Sequence, residues 1–222
     1  SLLKKARMEQ LGQLTATVAH ELRNPLGSVR TSAFLIEKKV ENKGLGLEKQ
    51  MERINKGILR CDNIITQLLD FSRTKEIEAE PQLMDHWLEE RAPEMIHSLG
   101  GNVRVEFDLG LGDTKVPFDQ ARLERAVINL ISNAAEAMVG DGRTEVKAVT
   151  INPLIRVSTR LNGNTASIAV MDNGPGMTDD VLAKIRDPLF TTKSFGTGLG
   201  LPSVEQIANL HGGKLEIETA VG

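Results

Sequence analysis

The chain has 222 residues, 40% hydrophobic and 26% charged, the make-up of a globular protein with room for one large domain or two modest ones. A net charge of −3 excludes the basic footprint of a nucleic-acid-binding protein, and six Phe, one Trp and no Tyr offer no base-stacking platform. The single cysteine, Cys61, rules out an internal disulfide and fits a reducing, cytoplasmic compartment, and no apolar run reaches the length of a membrane span.

In chain order, residues 2–75 carry two helical patterns. In the first, Leu11, Leu14, Val18, Leu22, Leu26, Val29, Ala33, Ile36 and Val40 recur by threes and fours. The stretch ENKGLG (41–46) is a turn signal, after which Leu47, Met51, Ile54, Ile58, Cys61, Ile65 and Leu68 form a heptad seam with Cys61 as a small core residue. Two long helices joined by a short loop predict an antiparallel hairpin. A lone hairpin exposes its seam, so two copies making a four-helix bundle is the economical reading, a homodimer through residues 1–75.

The charged stretch RTKEIEAEP (73–81) predicts a linker, placed at 76–81, and a second domain over 82–222. Its pattern predicts a strand near 82–84, a helix over 86–99, a strand over 103–109 and a helix over 119–138 capped by Asp119. Strands over 154–161 and 165–172 flank the turn NGN, a glycine-rich segment runs from 173 to 200, and a helix to about 211 precedes a strand KLEIET (214–219). The fold class is therefore a helical hairpin followed by an α+β two-layer sandwich. The chain opens inside a helical pattern and closes just after a strand pattern. It reads as the soluble portion of something longer, with any membrane anchor in segments absent from this chain.

Within the first helix, TVAHELRNPLG (17–27) sets a histidine beside a glutamate and a proline five residues on. His20 stands two residues from both Val18 and Leu22, about 160–200° round the wheel, so it points away from the seam to the exposed face. Asn24 shares that face at i+4. Pro25 has no N–H, so the Glu21 carbonyl loses its helical partner and a kink is expected beside His20. Taken alone, these residues fit a solvated His–Glu pair and a proline that shapes packing.

Three further blocks suit a nucleotide. Asn129 and Asn133 lie at i and i+4 on one helix, where amide oxygens suit a hard cation such as Mg²⁺, though surface or capping asparagines share this pattern. MDNGPGM (171–177) puts Asp172 at a strand end, able to accept from an exocyclic amine, with Gly174 and Gly176 allowing close backbone approach; DNG is also a common turn. GTGLGL (196–201) opens a helix whose amides suit phosphate, and DPLFTTK (187–193), too long for a mere connection, suggests a lid.

These blocks in this order resemble the catalytic core of the sensor histidine kinases of two-component systems, over nearly the whole chain. HELRNP resembles the H box of the dimerisation and histidine-phosphotransfer domain. NLISNAAEAM, DNGPGM, DPLFTTK and GTGLGL resemble the N box, first glycine box, F box and second glycine box of an ATP-binding domain of the gyrase, Hsp90 and MutL type. The resemblance implies ATP and Mg²⁺ as cofactors, His20 as phosphoacceptor, Glu21 as general base and Asn24 as the residue that orients water when the partner is dephosphorylated. It implies Asn133 as the Mg²⁺ ligand with Asn129 nearby, and Asp172 as the reader of adenine. Gly174, Gly176, Gly196, Thr197, Gly198, Leu199 and Gly200 would shape the pocket, and Lys193 belongs to the lid. An amide at 129, where related ATPases place a glutamate, favours transfer to protein over hydrolysis. The implied partner is the receiver domain of a response regulator.

Two positions depart from the common pattern. Glu136 stands where many of these kinases carry a basic residue, and Ala137 where many carry an aromatic. Phosphate charge must then be met by the metal, the lid and Lys193. A nucleotide-dependent switch, or a degenerate core that only binds a regulator, stays open at this point. His86, His97 and His211 show no metal-ligand spacing; a helix-end cap explains His211, and Trp87 reads as core.

Overall fold

The computed structural model describes residues 22–40, 46–72, 77–97, 99, 103–140, 150–193 and 196–221. The chain divides into two compact units, Ser1–Lys75 and Glu76–Gly222. Among the described residues no helix is long and apolar enough to cross a membrane.

In the first unit, α1 (helical over 22–40) and α2 (Glu48–Ser72) lie antiparallel: Arg23 donates to Thr66 Oγ1 at 3.3 Å, and Arg30 faces Asp62 at 3.5 Å. Met51, Ile58 and Ile65, seven apart on α2, are buried, and Ala33 of α1 packs with the first two. Leu26 and Val40, seven residues either side of Ala33, are partly buried on the same row. The other half of the expected seam is open. Leu22, Val29 and Ile36, again seven apart, are about half exposed, as is Ile54 on α2. Cys61 is exposed too, not a core residue of the hairpin, because it follows Ile54 on the outward row. The heptad thus splits into an inward and an outward column.

His20, Glu21 and all but Gly46 of the expected turn at 41–46 lie outside the described residues. Helix runs through Pro25, but the carbonyl that proline deprives belongs to Glu21, so the expected kink is outside them as well. In the following turns Ser28 Oγ donates to the Asn24 carbonyl at 3.4 Å and Thr31 Oγ1 to that of Gly27 at 3.0 Å, back-bonding that tends to bend a helix.

The second unit begins earlier than composition implies. β1 (Glu80–Leu83) pairs antiparallel with β3 (Lys115–Phe118), and the Glu78 N–H donates to Asp119, so residues 78–81, expected as linker, are built into this unit. Pro81 sits opposite Pro117, tolerable in a two-stranded sheet where each strand has a free edge. The second sheet has the order β2 (Arg104–Leu109), β4 (Leu154–Asn162), β5 (Thr165–Asp172), with β2 parallel and β5 antiparallel to β4. α3 (Met84–His97) precedes β2, and α4 (Gln120–Val139) follows β3. The short α5 (Asp179–Leu182) and then α6 (Gly200–Leu210) follow β5. The four-residue β3 and α5 lie below the length at which periodicity is readable.

One sheet face is covered by helices. Ile155 and Val157 of β4 meet Val127, Ile131, Ala134, Ala135 and Met138 of α4 in the main core, with Trp87 tilted on Phe118 at 5.1 Å between centroids. The other face is solvated, and Glu106 meets Arg104 and Arg156 there while Asp108 meets Arg160. This is the expected two-layer α+β arrangement. Buried Asp85 ties it together: its carboxylate accepts from the Leu111 N–H at 2.8 Å, the Gly112 N–H at 2.7 Å and buried Thr159 Oγ1 at 2.6 Å.

Residues 214–219, expected as a strand, belong to neither sheet. Exposure does alternate there, with Leu215, Ile217 and Thr219 turned inward, but no ladder of backbone bonds accompanies the alternation. Leu215 packs on the small core of Ala126, Val204 and Ile207 between α4 and α6.

Candidate nucleotide site

α4 is the spine of the site. Asp119 caps it, Oδ1 accepting from the Arg122 N–H at 3.1 Å, and the apolar stripe from Ala126 to Met138 turns one face into the core. That orientation leaves Asn129 and Asn133 partly buried on the flank and Glu136 and Ala137 exposed. Burial pushes the Asp119 carboxyl up, but the N–H groups of Arg122 and Glu78 and the Arg122 charge outweigh it and hold the group below the usual carboxylate range.

α6 lies antiparallel to α4. At its C-terminal end His211 bridges the helices: the Asp119 N–H donates to Nε2 at 3.0 Å, so Nδ1 carries the proton toward the Ile207 carbonyl at 2.8 Å. At its N-terminal end Gly200 faces the asparagines, and a Cβ there would stand 3.5 Å from Asn133 Nδ2 and 3.8 Å from Asn129 Oδ1. The N-cap residue, Leu199, has no side chain that can cap this helix, and its start lies beside the two asparagines, where its first amides can serve an anion. Leu199, expected to shape the pocket, is 1% exposed, and its N–H is taken by Thr197 Oγ1 at 3.3 Å, so it serves packing at the start of the helix.

The expected lid returns to α4 through Lys193. Its ammonium donates to Asn133 Oδ1 at 2.8 Å and pairs with Glu136 Oε2. The loop is closed on itself: the Leu189 N–H donates to the Gly198 carbonyl at 3.0 Å, and Gly198, at φ +65°, lies so close that a Cβ would stand 2.3 Å from the Leu189 carbonyl carbon. Gly196 packs on Thr191 Oγ1 and Gly176 on the Ala220 carbonyl, so these two glycines serve loop packing rather than direct ligand approach. Leu189 also takes a left-handed φ of 69°, a strained choice for a non-glycine residue.

Asp172 forms the other end. Its Oδ1 accepts the Gly174 N–H at 2.9 Å, and Gly174 abuts Met138 of α4. Met138 follows Asn133 by five residues, so the Asp172 end and the Asn133 end are offset by about 7.5 Å along α4. Asn173, which sequence reasoning passed over, fixes this corner: its Oδ1 accepts the Leu154 N–H at 2.8 Å and its Nδ2 donates to the Asn152 carbonyl at 3.1 Å. The structure therefore brings together Asn129, Asn133, Lys193 and Gly200, with Asp172 and Gly174 further along the same helix. Asn24 is exposed on α1, in the other unit.

A family model described as the histidine kinase-, DNA gyrase B- and HSP90-like ATPase matches residues 118–222, and one described as the His Kinase A (phospho-acceptor) domain matches residues 10–77. The chain belongs to the sensor histidine kinases. The kinase core is 30% identical over 219 residues to the signal transduction histidine-protein kinase AtoS of Escherichia coli K12, covering 97% of this chain and 34% of that protein. It is 31% identical over 223 residues to sporulation kinase B of Bacillus subtilis 168, covering 99% of this chain and 49% of that one. It thus spans between a third and a half of these relatives. Among solved structures, the histidine kinase ThkA in complex with the response regulator protein TrrA aligns with a TM-score of 0.58 at 25% identity, over 94% of this chain and 57% of that one. Full-length ShkA in complex with AMPPNP shares the fold, with a TM-score of 0.69 at 21% identity over 90% of this chain and 41% of that one.

Proposed function

We propose that this kinase core takes the γ-phosphoryl group of ATP onto His20 and passes it to an aspartate on the receiver domain of a response regulator. The observation that carries the reading is the convergence of Asn129, Asn133, Lys193 and the start of α6 on one space, with the Asp172 carboxylate farther along α4. Asn133 and Lys193 then take the triphosphate end, the α6 amides bind phosphate oxygens, and the second Asp172 oxygen accepts from the adenine amine.

Mg²⁺ fits this donor set. Asn133 Oδ1 is a hard oxygen already turned toward a positive charge, the Lys193 ammonium. A single amide oxygen is a weak anchor by itself, so the ion would arrive with the nucleotide, as Mg²⁺ usually does. When bound, it neutralises phosphate charge and fixes the in-line geometry.

The chemistry at the acceptor is balanced within the chain. An imidazole of ordinary pKa, about 6.5, is mostly neutral at pH 7 and attacks the γ-phosphorus in line. The N–P bond forms as the bond to the bridging oxygen breaks, ADP leaves, and the ring proton passes to Glu21. Asn24, one turn from His20, orients water for the reverse duty, regulator dephosphorylation. The outward column of Leu22, Val29, Ile36 and Ile54 is an apolar face that a second copy covers, making the chain a homodimer through residues 1–75. The activity belongs in the cytoplasm, where ATP and regulators are.

Incubation with γ-labelled ATP and Mg²⁺ tests the reading on wild type, His20→Ala and Asn133→Ala. Label stable to base but not acid, and lost in both variants, is expected. Nucleotide binding with no label on the wild type would reject kinase chemistry in favour of a nucleotide-dependent switch.

A further inference from the structure

Glu136 is out of place by every local rule. It lies in the last turn of α4, which carries no basic residue, where the helix dipole disfavours an anion. It also stands one turn from Asn133, beside the space where a triphosphate would bring several negative charges. Among the described residues, the group that offsets both is the ammonium of Lys193, 57 residues on.

That ammonium is held in a defined place. The Lys193 N–H donates to Thr191 Oγ1 at 3.1 Å, and the Gly196 N–H closes on the Lys193 carbonyl at 3.3 Å, so the turn aims the side chain at α4. There it contacts two residues of α4, Glu136 and the Asn133 amide oxygen at 2.8 Å. The oxygen suited to a divalent cation is therefore covered by a monovalent one, and the lysine suited to phosphate is neutralised by a carboxylate. Both side chains are a third or more exposed, 33% for Lys193 and 42% for Glu136, so the pair is readily opened.

We propose that Glu136 is a positioning residue: in the nucleotide-free protein it holds Lys193, and with it the segment 187–193, against α4 so that the ammonium covers Asn133 Oδ1. The pairing must open before Asn133 can serve a cation or Lys193 a phosphate. Cation binding at Asn133 and release of the lid lysine thereby become one exchange, and the nucleotide site is closed to metal-free nucleotide. This deepens the reading of the site as an ATP site and rests on it for the nucleotide half of the test only.

The experiment compares wild type, Glu136→Gln, Lys193→Met and the charge-swapped pair Glu136→Lys with Lys193→Glu. Amide hydrogen exchange over 187–193 is followed without nucleotide, and ADP affinity is measured in Mg²⁺ and in EDTA. Each single substitution should speed exchange several-fold, and the swapped pair should restore protection. Glu136→Gln should tighten ADP binding in EDTA roughly tenfold and change it much less in Mg²⁺, so the dependence on the ion shrinks. Exchange unchanged by both single substitutions would overturn the pairing. An ion dependence unchanged by Glu136→Gln would overturn the coupling. If the wild type bound no ADP at all, the ATP-site reading would fall, and exchange would still decide the pairing.

Discussion

The two units cover their apolar residues to very different degrees. In the second, Leu88, Met138, Ile155 and Val157 are fully buried beneath one layer of helices. Among the described residues of the first, Ala33, Met51, Ile58 and Ile65 are buried, while Leu22, Val29, Phe34, Leu35 and Ile36 stand about half exposed along α1. The second unit closes its core within one chain, whereas the hairpin closes only one of two heptad columns. A hairpin of this kind is half a structure, and its stability depends on what covers the other half.

The comparison breaks most visibly on the outward column. Val29→Glu with Ile36→Glu places two charges where the structure leaves two half-exposed aliphatics. The dimer should dissociate to monomer at micromolar concentration, read by light scattering, and the hairpin should lose helicity while the second unit keeps its own melting transition. A dimer that survives the pair would show that this column is not the interface.

The next effect is confined to the second unit. Asp85→Ala leaves the Leu111 and Gly112 N–H groups and the Thr159 hydroxyl without their shared acceptor. The two buried donors, the Leu111 N–H and the Thr159 hydroxyl, cost about 1–3 kcal/mol each when stranded, while water reaches the exposed Gly112, so a loss of about 3 kcal/mol is expected in urea unfolding of this unit. The hairpin transition should not move. A loss below about 1 kcal/mol would mean that water replaces the carboxylate and that the unit is less closed than its burial implies.

These features were not equally legible. β4 and β5 are readable from alternation about NGN, and Gly163 takes the positive φ, 62°, that such a turn needs. The two long helices are readable from their period, yet period alone cannot say which of two columns the second helix covers, so Cys61 and Ile54 look inward by period and lie outward in the hairpin. Residues 214–219 alternate as a strand does, but a strand also needs a ladder, which no single segment reveals. In the site, Asn129, Asn133, Asp172 and Gly200 were visible as motif residues. The Asp85 acceptor spans 26, 27 and 74 residues, and the Lys193–Glu136 pair spans 57, so neither leaves a local signature.

The smallest effect sharpens the comparison by pH, because it acts on the joint between α4 and α6 and should leave the hairpin untouched. The native Asp119 carboxyl is held below its ordinary value: burial raises it, but two backbone N–H groups and the Arg122 guanidinium, 3.3 Å away, favour the charged form more. A group depressed in this way contributes its stability in full above the unfolded-state pKa of about 3.9, and loses it as pH falls through the native value. Asp119→Asn keeps a capping oxygen but removes the charge. The variant should be about 1 kcal/mol less stable than wild type at pH 7, and the gap should narrow below pH 4 as the wild-type carboxyl protonates. Parallel stability curves from pH 7 to pH 3 would mean that the cap acts through hydrogen bonds alone and that the Arg122 charge beside it contributes nothing.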